Sequence, residues 1–438
     1  MAQSKETFLS ELEWRGLLHQ TAGQGLEEYL ATPGRTAYCG FDPTADSLGV
    51  GNLVALSIMR HWQNAGHRPI LLVGGATGLI GDPSGKDSER NLLSEEEVRH
   101  NVECQAEQMR PLFTWEDEDP KTGAQMVNNL DWWQGLSFIE VLRDIGKHFS
   151  VNAMIQRDSV RDRLENRDQG ISYTEFSYML VQAYDFLHLH KTLDCAVQMS
   201  GSDQYGNIVS GMDLIRRDAA ANGREAESFA ITTPLLLKAD GKKFGKSESG
   251  NVWLSPTRTS PYAFYQFWIN ASDDDVGRFL RTFTLLPREE IEAIESGHQA
   301  APHERGAQHR LAEDVTSAVH GSEELKRVQA ATGALFGKGN LRDLDANMLR
   351  DVFADVPSSN HPKASLEAEG LPLADLLPET TLAKSKREAR EYLKNGAISI
   401  NGEKATPDTR LTTTDLLHGQ TILIKRGKKL WHATQWSS

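Results

Sequence analysis

Apolar residues fall along this chain in two alternating rhythms. From residue 1 to about 35, Phe8, Leu9, Leu12, Trp14 and Leu17 recur at roughly helical spacing, which predicts an amphipathic helix ending at the break ATPGRT. The short run TAYCGF follows and stops at Asp42 and Pro43, and the next apolar run, Leu53 to Trp62, has helical length and period. PILLVGG is a second strand candidate, closed by Gly74 and Gly75; CAVQMSG and ITTPLLL are two more. Helical stretches such as TEFSYMLVQAYDFL separate them. Strands alternating with helices predict an α/β fold, a parallel sheet with helices on both faces. Ligands of such sheets bind beyond the carboxyl ends of the strands, so the polar, glycine-rich segments DPTADSLGVGN, ATGLIGDPSGK, SGSDQYGN and KADGKKFGKS are where a site is expected.

Beyond about Asn270 the rhythm becomes helical alone. ASDDDVGRFLRTF sets acids in a first turn with apolar residues behind them, as a helix start requires. From about Gly337 to Pro372 polarity is mixed and periodicity weak, the pattern of a partly structured linker. The last segment holds a helix candidate, SKREAREYLKNG, then the strand candidates AISING and QTILIKR.

A length of 438 residues adds the expectation of two or three domains. No apolar run is long enough to cross a bilayer and no secretory pattern opens the chain, so a cytoplasmic location is expected. Cys39, Cys104 and Cys195 are far apart, without zinc-finger spacing, and are expected as free thiols with no structural metal. The formal charge of −14 argues against indiscriminate coating of nucleic acid. It is unevenly spread: residues 371 to 438 carry eleven Lys and Arg against seven Asp and Glu, a net of +4 that leaves −18 on the rest. A basic tail on an acidic body suits a directed RNA contact, although +4 is also an ordinary solvated surface.

Four constellations carry candidate chemistry. GGATGLIGDPSGK is not a phosphate loop of the GxxxxGK type, because Gly81 and Gly85 are one residue too close and Asp87 follows Lys86; it reads equally as a structural turn. KADGKKFGKSESG places Lys238, Lys242, Lys243 and Lys246 among glycines after a strand, able to wrap a polyphosphate or simply to solubilise. Tyr178, Gln182 and Asp185 lie at i, i+4 and i+7 on one helix face. Phe176, Leu180, Val181 and Phe186 make the helix apolar over most of its circumference, so the polar stripe is expected at least half-buried and in need of polar partners. Cys39, Asp42, Asp203 and Gln204 complete a ring of small polar groups at strand ends. With no nucleophile and base paired by spacing, chemistry here is expected to run by positioning and charge stabilisation.

Taken in order, YCGFDPTADSL, LVGGATGLIGDPSGK, DIGKHFSVN, TEFSYMLVQAYDF, GSDQYGNI and KKFGKSESG closely resemble blocks of the bacterial tyrosyl-tRNA synthetases, from about residue 5 to 433. The resemblance implies a Rossmann-like class I catalytic domain with a dimer-forming insertion (1–230), a KFGKS loop and connection (231–270), a helical anticodon-side domain (271–336), a linker (337–370) and a small α+β RNA-binding domain of ribosomal small-subunit type (371–438). It implies that Tyr38 and Asp185 hydrogen-bond the phenolic hydroxyl of bound tyrosine. Tyr178, Gln182 and Asp82 are implied at its ammonium, with Gln204 nearby. Cys39, Gly40, Asp42, Gly51, Gly201 and Asp203 are implied on the ATP side. Thr44, Asn52, Lys86, Arg90, Lys243 and Lys246 are implied at the phosphates. ATP and L-tyrosine as substrates, magnesium entering with ATP, tRNA(Tyr) as acceptor and a homodimer formed around residues 131 to 149 follow in the same way; neither a membrane nor DNA is an expected partner.

One departure stands out. Where the family usually writes His-x-Gly-His, this chain has Gly49, Val50, Gly51 and Asn52. The Asn52 amide can donate as a neutral imidazole does. Gly49 has no donor, a loss of roughly 2 to 4 kcal/mol if it acts like other single deletions at anionic transition states. Two readings follow: an ATP-dependent tyrosine–tRNA ligase slowed at activation, or a non-catalytic or weakly catalytic relative that binds tRNA or regulates.

Overall fold

Glycine breaks the amino-terminal pattern into pieces. Instead of one helix to residue 35, α1 (Phe8–Arg15) starts on a Thr7 cap and stops at Gly16, whose φ of 71° lies in the left-handed region. A short strand, β1 (Gln20–Ala22), and a short helix, α2 (Leu26–Leu30), follow. The buried Arg15 turns inward and donates to the carbonyls of Arg281, Thr284 and Leu286 at 2.9, 3.0 and 2.7 Å. Those three bonds fasten α1 to the end of a helix 270 residues away and offset the cost of burying the guanidinium.

The computed structural model describes residues 7–82, 93–157, 160, 161, 164, 171–241, 244–247, 250–335, 340–354, 356–427 and 430–437. They fall into two units, Met1–Thr259 with Phe267–Val319, and Ser260–Gln266 with His320–Ser438.

In the first unit the strands β2 (Thr36–Phe41), β3 (Arg68–Val73), β4 (Gln125–Asn128), β5 (Cys195–Gly201) and β6 (Phe229–Thr233) join β1 in one sheet of order β1-β6-β5-β2-β3-β4. All neighbours are parallel except β1, which closes the edge antiparallel to β6. β2 and β5 occupy the limits expected from their apolar runs. β6 ends before the apolar run does, because Pro234 has no N–H for the ladder, and Leu235 and Leu237 are left exposed. Strand order runs outward in both directions from β2 and β5, so the crevice lies at their carboxyl ends.

Around the sheet lie α3 (Leu53–Asn64), α4 (Gly75–Ile80), α5 (Glu95–Met109), α6 (Leu130–Trp133), α7 (Tyr173–Leu193) and α8 (Tyr205–Ala221). The predicted acid-led helix is Asp273–Phe283, preceded by Ser272, whose hydroxyl bonds the Asp275 carboxylate at 2.8 Å.

The second unit holds a sheet whose order is Glu403–Lys404, Ile398–Ile400, Thr421–Arg426, Leu430–Ser437 and Ser358–Pro362, the last pair parallel. The helix Lys386–Lys394 packs Ala389 and Leu393 into a core with Ile398, Ile422, Ile424 and Trp436. The stretch read as a linker contributes the edge strand Ser358–Pro362 and the helix Ala346–Val352. That edge strand is fastened by polar groups: the Ser359 hydroxyl bridges Nε2 of His361 and Nε2 of His432 at 2.7 and 2.9 Å.

Candidate functional site

The deepest part of the crevice is built around one carboxylate. Asp185, on α7, is 1% exposed, and burial pushes its carboxyl up to about 7 despite three hydrogen bonds that pull the other way. Oδ1 accepts from the indoles of both Trp132 and Trp133, each at 2.9 Å, and Oδ2 accepts from the Asn129 amide at 2.9 Å. Asn129 is itself fully committed: its oxygen accepts from the Ala76 N–H at 2.7 Å and its nitrogen also reaches Thr77 Oγ1 at 3.2 Å. An ionised carboxylate offers about four lone pairs, so one position on Oδ2 remains for a further donor.

Tyr38 faces this group from β2. Its ring packs on Phe186 at 5.3 Å, and its hydroxyl is buried without a hydrogen-bond partner among the described residues. Burial, and then the Asp185 charge, hold the phenol well above its usual range, so it stays a neutral donor. A buried hydroxyl left unsatisfied costs about 1 to 3 kcal/mol. Opposite an anchored carboxylate with one free lone pair, it completes a socket for a group that both donates and accepts: a hydroxyl.

Higher in the crevice the remaining polar groups interlock. The Tyr178 hydroxyl donates to Asp42 Oδ2 at 2.9 Å, and the Gln204 amide donates to Asp82 Oδ2 at 2.7 Å. Asn207 joins the two sides, its nitrogen reaching Gln182 Oε1 at 3.0 Å and Gln204 Oε1 at 3.1 Å. Gly74 makes the approach possible: a Cβ there would stand 2.1 Å from Thr77 Oγ1 and 2.5 Å from Asp42 Oδ1. Two carboxylates, Asp42 and Asp82, line this level, which suits a cationic ligand group.

The residues expected on the ATP side, nucleoside and phosphates alike, are differently placed. Thr44, Gly51, Asn52 and Asp203 are exposed, as is Gly40. Gly201 lies beside Asp203, where a Cβ would meet Oδ1 at 2.6 Å. Cys39 is fully buried and its thiol, pushed up to about 12 by burial, is not presented to the crevice. The Asn52 side-chain oxygen accepts from the Gly49 N–H at 3.0 Å, which leaves the NH₂ as the donor end of the amide. Gly49 has ordinary extended backbone, φ −89° and ψ 164°, and among the described residues a Cβ there would touch only Val252 O at 3.5 Å and Asn52 Oδ1 at 3.9 Å. Its lack of a side chain is therefore not imposed by the fold.

The KFGKS segment lies against this turn. The Val50 N–H donates to Val252 O at 3.0 Å and the Val252 N–H to Gly245 O at 3.1 Å. Phe244 anchors the segment in an aromatic cluster, 5.3 Å from Phe283 and 5.0 Å from Phe279 between ring centres. Lys246 begins the two-residue strand that pairs with Gly250 and Asn251. Lys86, Arg90 and Lys243 lie outside the described residues.

Sequence reasoning missed Asn129, Trp132, Trp133 and Asn207. The first three sit just past β4, where four residues give no readable period, and Asn207 lies inside GSDQYGNI one turn beyond Gln204, a spacing that marks it as a neighbour of that side chain.

The chain matches the family model for class I tRNA synthetases (W and Y) over residues 32–337, and that for the SYY-like C-terminal domain of tyrosine–tRNA ligase over residues 349–434. It is 49% identical over 429 residues to a tyrosine–tRNA ligase of Bacteroides thetaiotaomicron, covering 96% of this chain and 98% of that one. It is 49% identical over 433 residues to a tyrosine–tRNA ligase of Bacillus caldotenax, covering 98% and 100%. Among solved structures it resembles a C-terminally truncated mitochondrial tyrosyl-tRNA synthetase of Aspergillus nidulans, with a TM-score of 0.67 and 31% identity over 76% of this chain and 95% of that one.

Proposed function

The chain belongs to the tyrosine–tRNA ligases, within the tyrosine and tryptophan group of class I tRNA synthetases, and from that premise we propose that its crevice activates L-tyrosine with ATP and passes it to tRNA(Tyr). The observation that carries the assignment of the site is the orphaned Tyr38 hydroxyl beside Asp185. The tyrosine hydroxyl donates to Asp185 Oδ2 and accepts from Tyr38. Phenylalanine leaves both groups unpaired in a buried site, and that penalty is the basis of discrimination.

The ammonium of the substrate sits among Asp82, Tyr178, Gln182 and Gln204, which its charge and three donors match. Its carboxylate then attacks the α-phosphate of ATP in line, forming the C–O–P bond of tyrosyl-adenylate as the bond to pyrophosphate breaks. ATP enters as its magnesium complex, as a substrate. Asn52 supplies one neutral donor to the phosphates from the GVGN turn, and Thr44 lies on the same side; Lys86, Arg90, Lys243 and Lys246 supply positive charge to the departing pyrophosphate. Gly40, Asp42, Gly51, Gly201 and Asp203 accept the nucleoside, close backbone approach being available at the glycines. A ribose hydroxyl at the tRNA terminus finally attacks the tyrosyl carbonyl and releases AMP.

Two further features support the wider reading. Lys384, Lys386, Arg387, Arg390 and Lys394 are all exposed on and just before the helix Lys386–Lys394, a basic surface suited to RNA phosphates. Phe138 and Ile139 are 64% and 67% exposed, with Leu142, Val151 and Ile155 exposed close by in sequence, and a second copy of the chain covers them in a homodimer. No helix among the described residues is long and apolar enough to cross a membrane; the enzyme works in the cytoplasm, with its tRNA. The test is charging of tRNA(Tyr) with labelled tyrosine. Esterified tyrosine that depends on ATP supports the proposal, and tRNA that stays uncharged with active-site-titrated protein rejects it.

A further inference from the structure

Two indoles on one carboxylate oxygen are more than packing requires. Trp132 lies flat on His188, ring centres 4.4 Å apart, and Trp133 meets Tyr184 edge-on at 5.0 Å, yet both direct Nε1–H to Oδ1 of Asp185 at 2.9 Å. An indole nitrogen only donates, so neither ring can accept a proton placed on Oδ1. Both lone pairs of Oδ1 are thereby taken by donors that favour the ionised carboxylate, and the lone pair left for a further donor is on Oδ2. Trp132 alone would leave Oδ1 a lone pair open to a proton, or to the substrate hydroxyl in place of Oδ2.

We propose that Trp133 is a positioning residue that sets amino-acid specificity: by donating to Oδ1 alongside Trp132 it reserves Oδ2 of Asp185 for the substrate hydroxyl. This rests on Asp185 being the acceptor of that hydroxyl. The titratable groups facing Asp185 are Tyr38 and Asp42 at the end of β2 and Tyr178, Tyr184 and His188 on its own helix. Asp42 adds to the upward push of burial, and the Asn129, Trp133 and Trp132 donors oppose it. Losing one donor moves the ionisation of Asp185 to higher pH, so the binding-competent carboxylate becomes scarcer near neutrality.

The test compares tyrosine and phenylalanine as substrates for pyrophosphate exchange by Trp133→Phe, which keeps an aromatic edge on Tyr184 but removes the donor. KM for tyrosine is expected to rise about tenfold at neutral pH with kcat within about twofold, the size of one charge-assisted bond. The acidic limb of kcat/KM moves up by about one pH unit, while the value for phenylalanine is unchanged. An unaltered tyrosine-to-phenylalanine ratio with an unmoved limb overturns the proposal, and so does an equal loss for both amino acids without a pH shift. Asp185→Asn, run alongside, separates the layers. If it discriminates like wild type, the reading of Asp185 fails and takes this inference with it; if it loses discrimination while Trp133→Phe does not, the inference alone fails. A measurement on the wild-type protein guards against a variant that does not fold. The Nε1–H signals of Trp132 and Trp133 in protein carrying ¹⁵N-tryptophan should titrate with one midpoint, and a Trp133 signal that does not move overturns the proposal.

Discussion

The two halves of the crevice follow opposite plans. In the half proposed for the amino acid, Asp185, Tyr178, Asp82 and Asn207 are buried and hydrogen-bonded, each orientation fixed by a neighbour. In the half proposed for ATP, Thr44, Asn52 and Asp203 are exposed, and at Gly49 a side chain is simply missing. The difference follows from what each half must recognise. A phenolic hydroxyl offers one donor and one acceptor, so selectivity has to come from partners that water cannot replace. A triphosphate brings several charges, and a loose set of donors and cations suffices to bind it. The cost of looseness falls on rate, because transition-state charge is stabilised best by donors already in place.

Removing the anchor of the buried half should have the largest effect. Asp185→Ala deletes the acceptor and strands three donors, the buried Asn129 amide and two half-buried indoles, so kcat/KM for tyrosine in pyrophosphate exchange is expected to fall by a factor on the order of 10³ or more. A fall of less than tenfold would mean that the hydroxyl is held elsewhere. On the exposed half the expected change is a gain. A Cβ at position 49 makes only ordinary van der Waals contacts with the described residues, and Gly49→His, by supplying the absent donor, should raise the rate of adenylate formation by about 10² to 10³. Stopped-flow measurement of that step checks it, and an unchanged rate would show that another group already does the task.

Smaller effects sharpen the same contrast. Because Asp185 is pushed up to about 7, its ionised fraction rises steeply between pH 6 and 8, and tyrosine affinity should rise with it, roughly tenfold. The free protein should respond in the opposite sense. Between the ordinary carboxylate range and about 7 the folded state holds the Asp185 proton more tightly than the unfolded state, so this group's contribution to stability falls as pH rises. Parallel calorimetry of tyrosine binding and unfolding across that window distinguishes the two trends. Least affected should be Tyr38→Phe: it removes an unsatisfied buried hydroxyl, so the free enzyme gains about 1 kcal/mol in denaturant melts while tyrosine binding weakens by about tenfold.

Much of the frame was legible in the residues. The runs TAYCGF and CAVQMSG are apolar because these central strands are covered on both faces, and they form β2 and β5 without change of limits. Tyr178 and Asp185 on α7 are buried, as the apolar circumference of the helix required. What stayed hidden depends on contacts distant in sequence. β1 sits within residues spaced like a helix and is recruited by the edge of β6. The strand Ser358–Pro362 contains Pro362 and polar residues, and it is held by the Ser359 bridge to His432 rather than by an apolar face. Asn129, Trp132 and Trp133 acquire meaning only when β4 brings them to α7. No local pattern marks a residue whose partner lies more than 50 positions away.

The measurement that bears most directly on the whole account is exchange of labelled pyrophosphate into ATP, with tyrosine or phenylalanine as the only amino acid. Exchange that requires tyrosine, is far weaker with phenylalanine and collapses in Asp185→Ala is the predicted result. Exchange that is absent with tyrosine, or equal with the two amino acids, would contradict it.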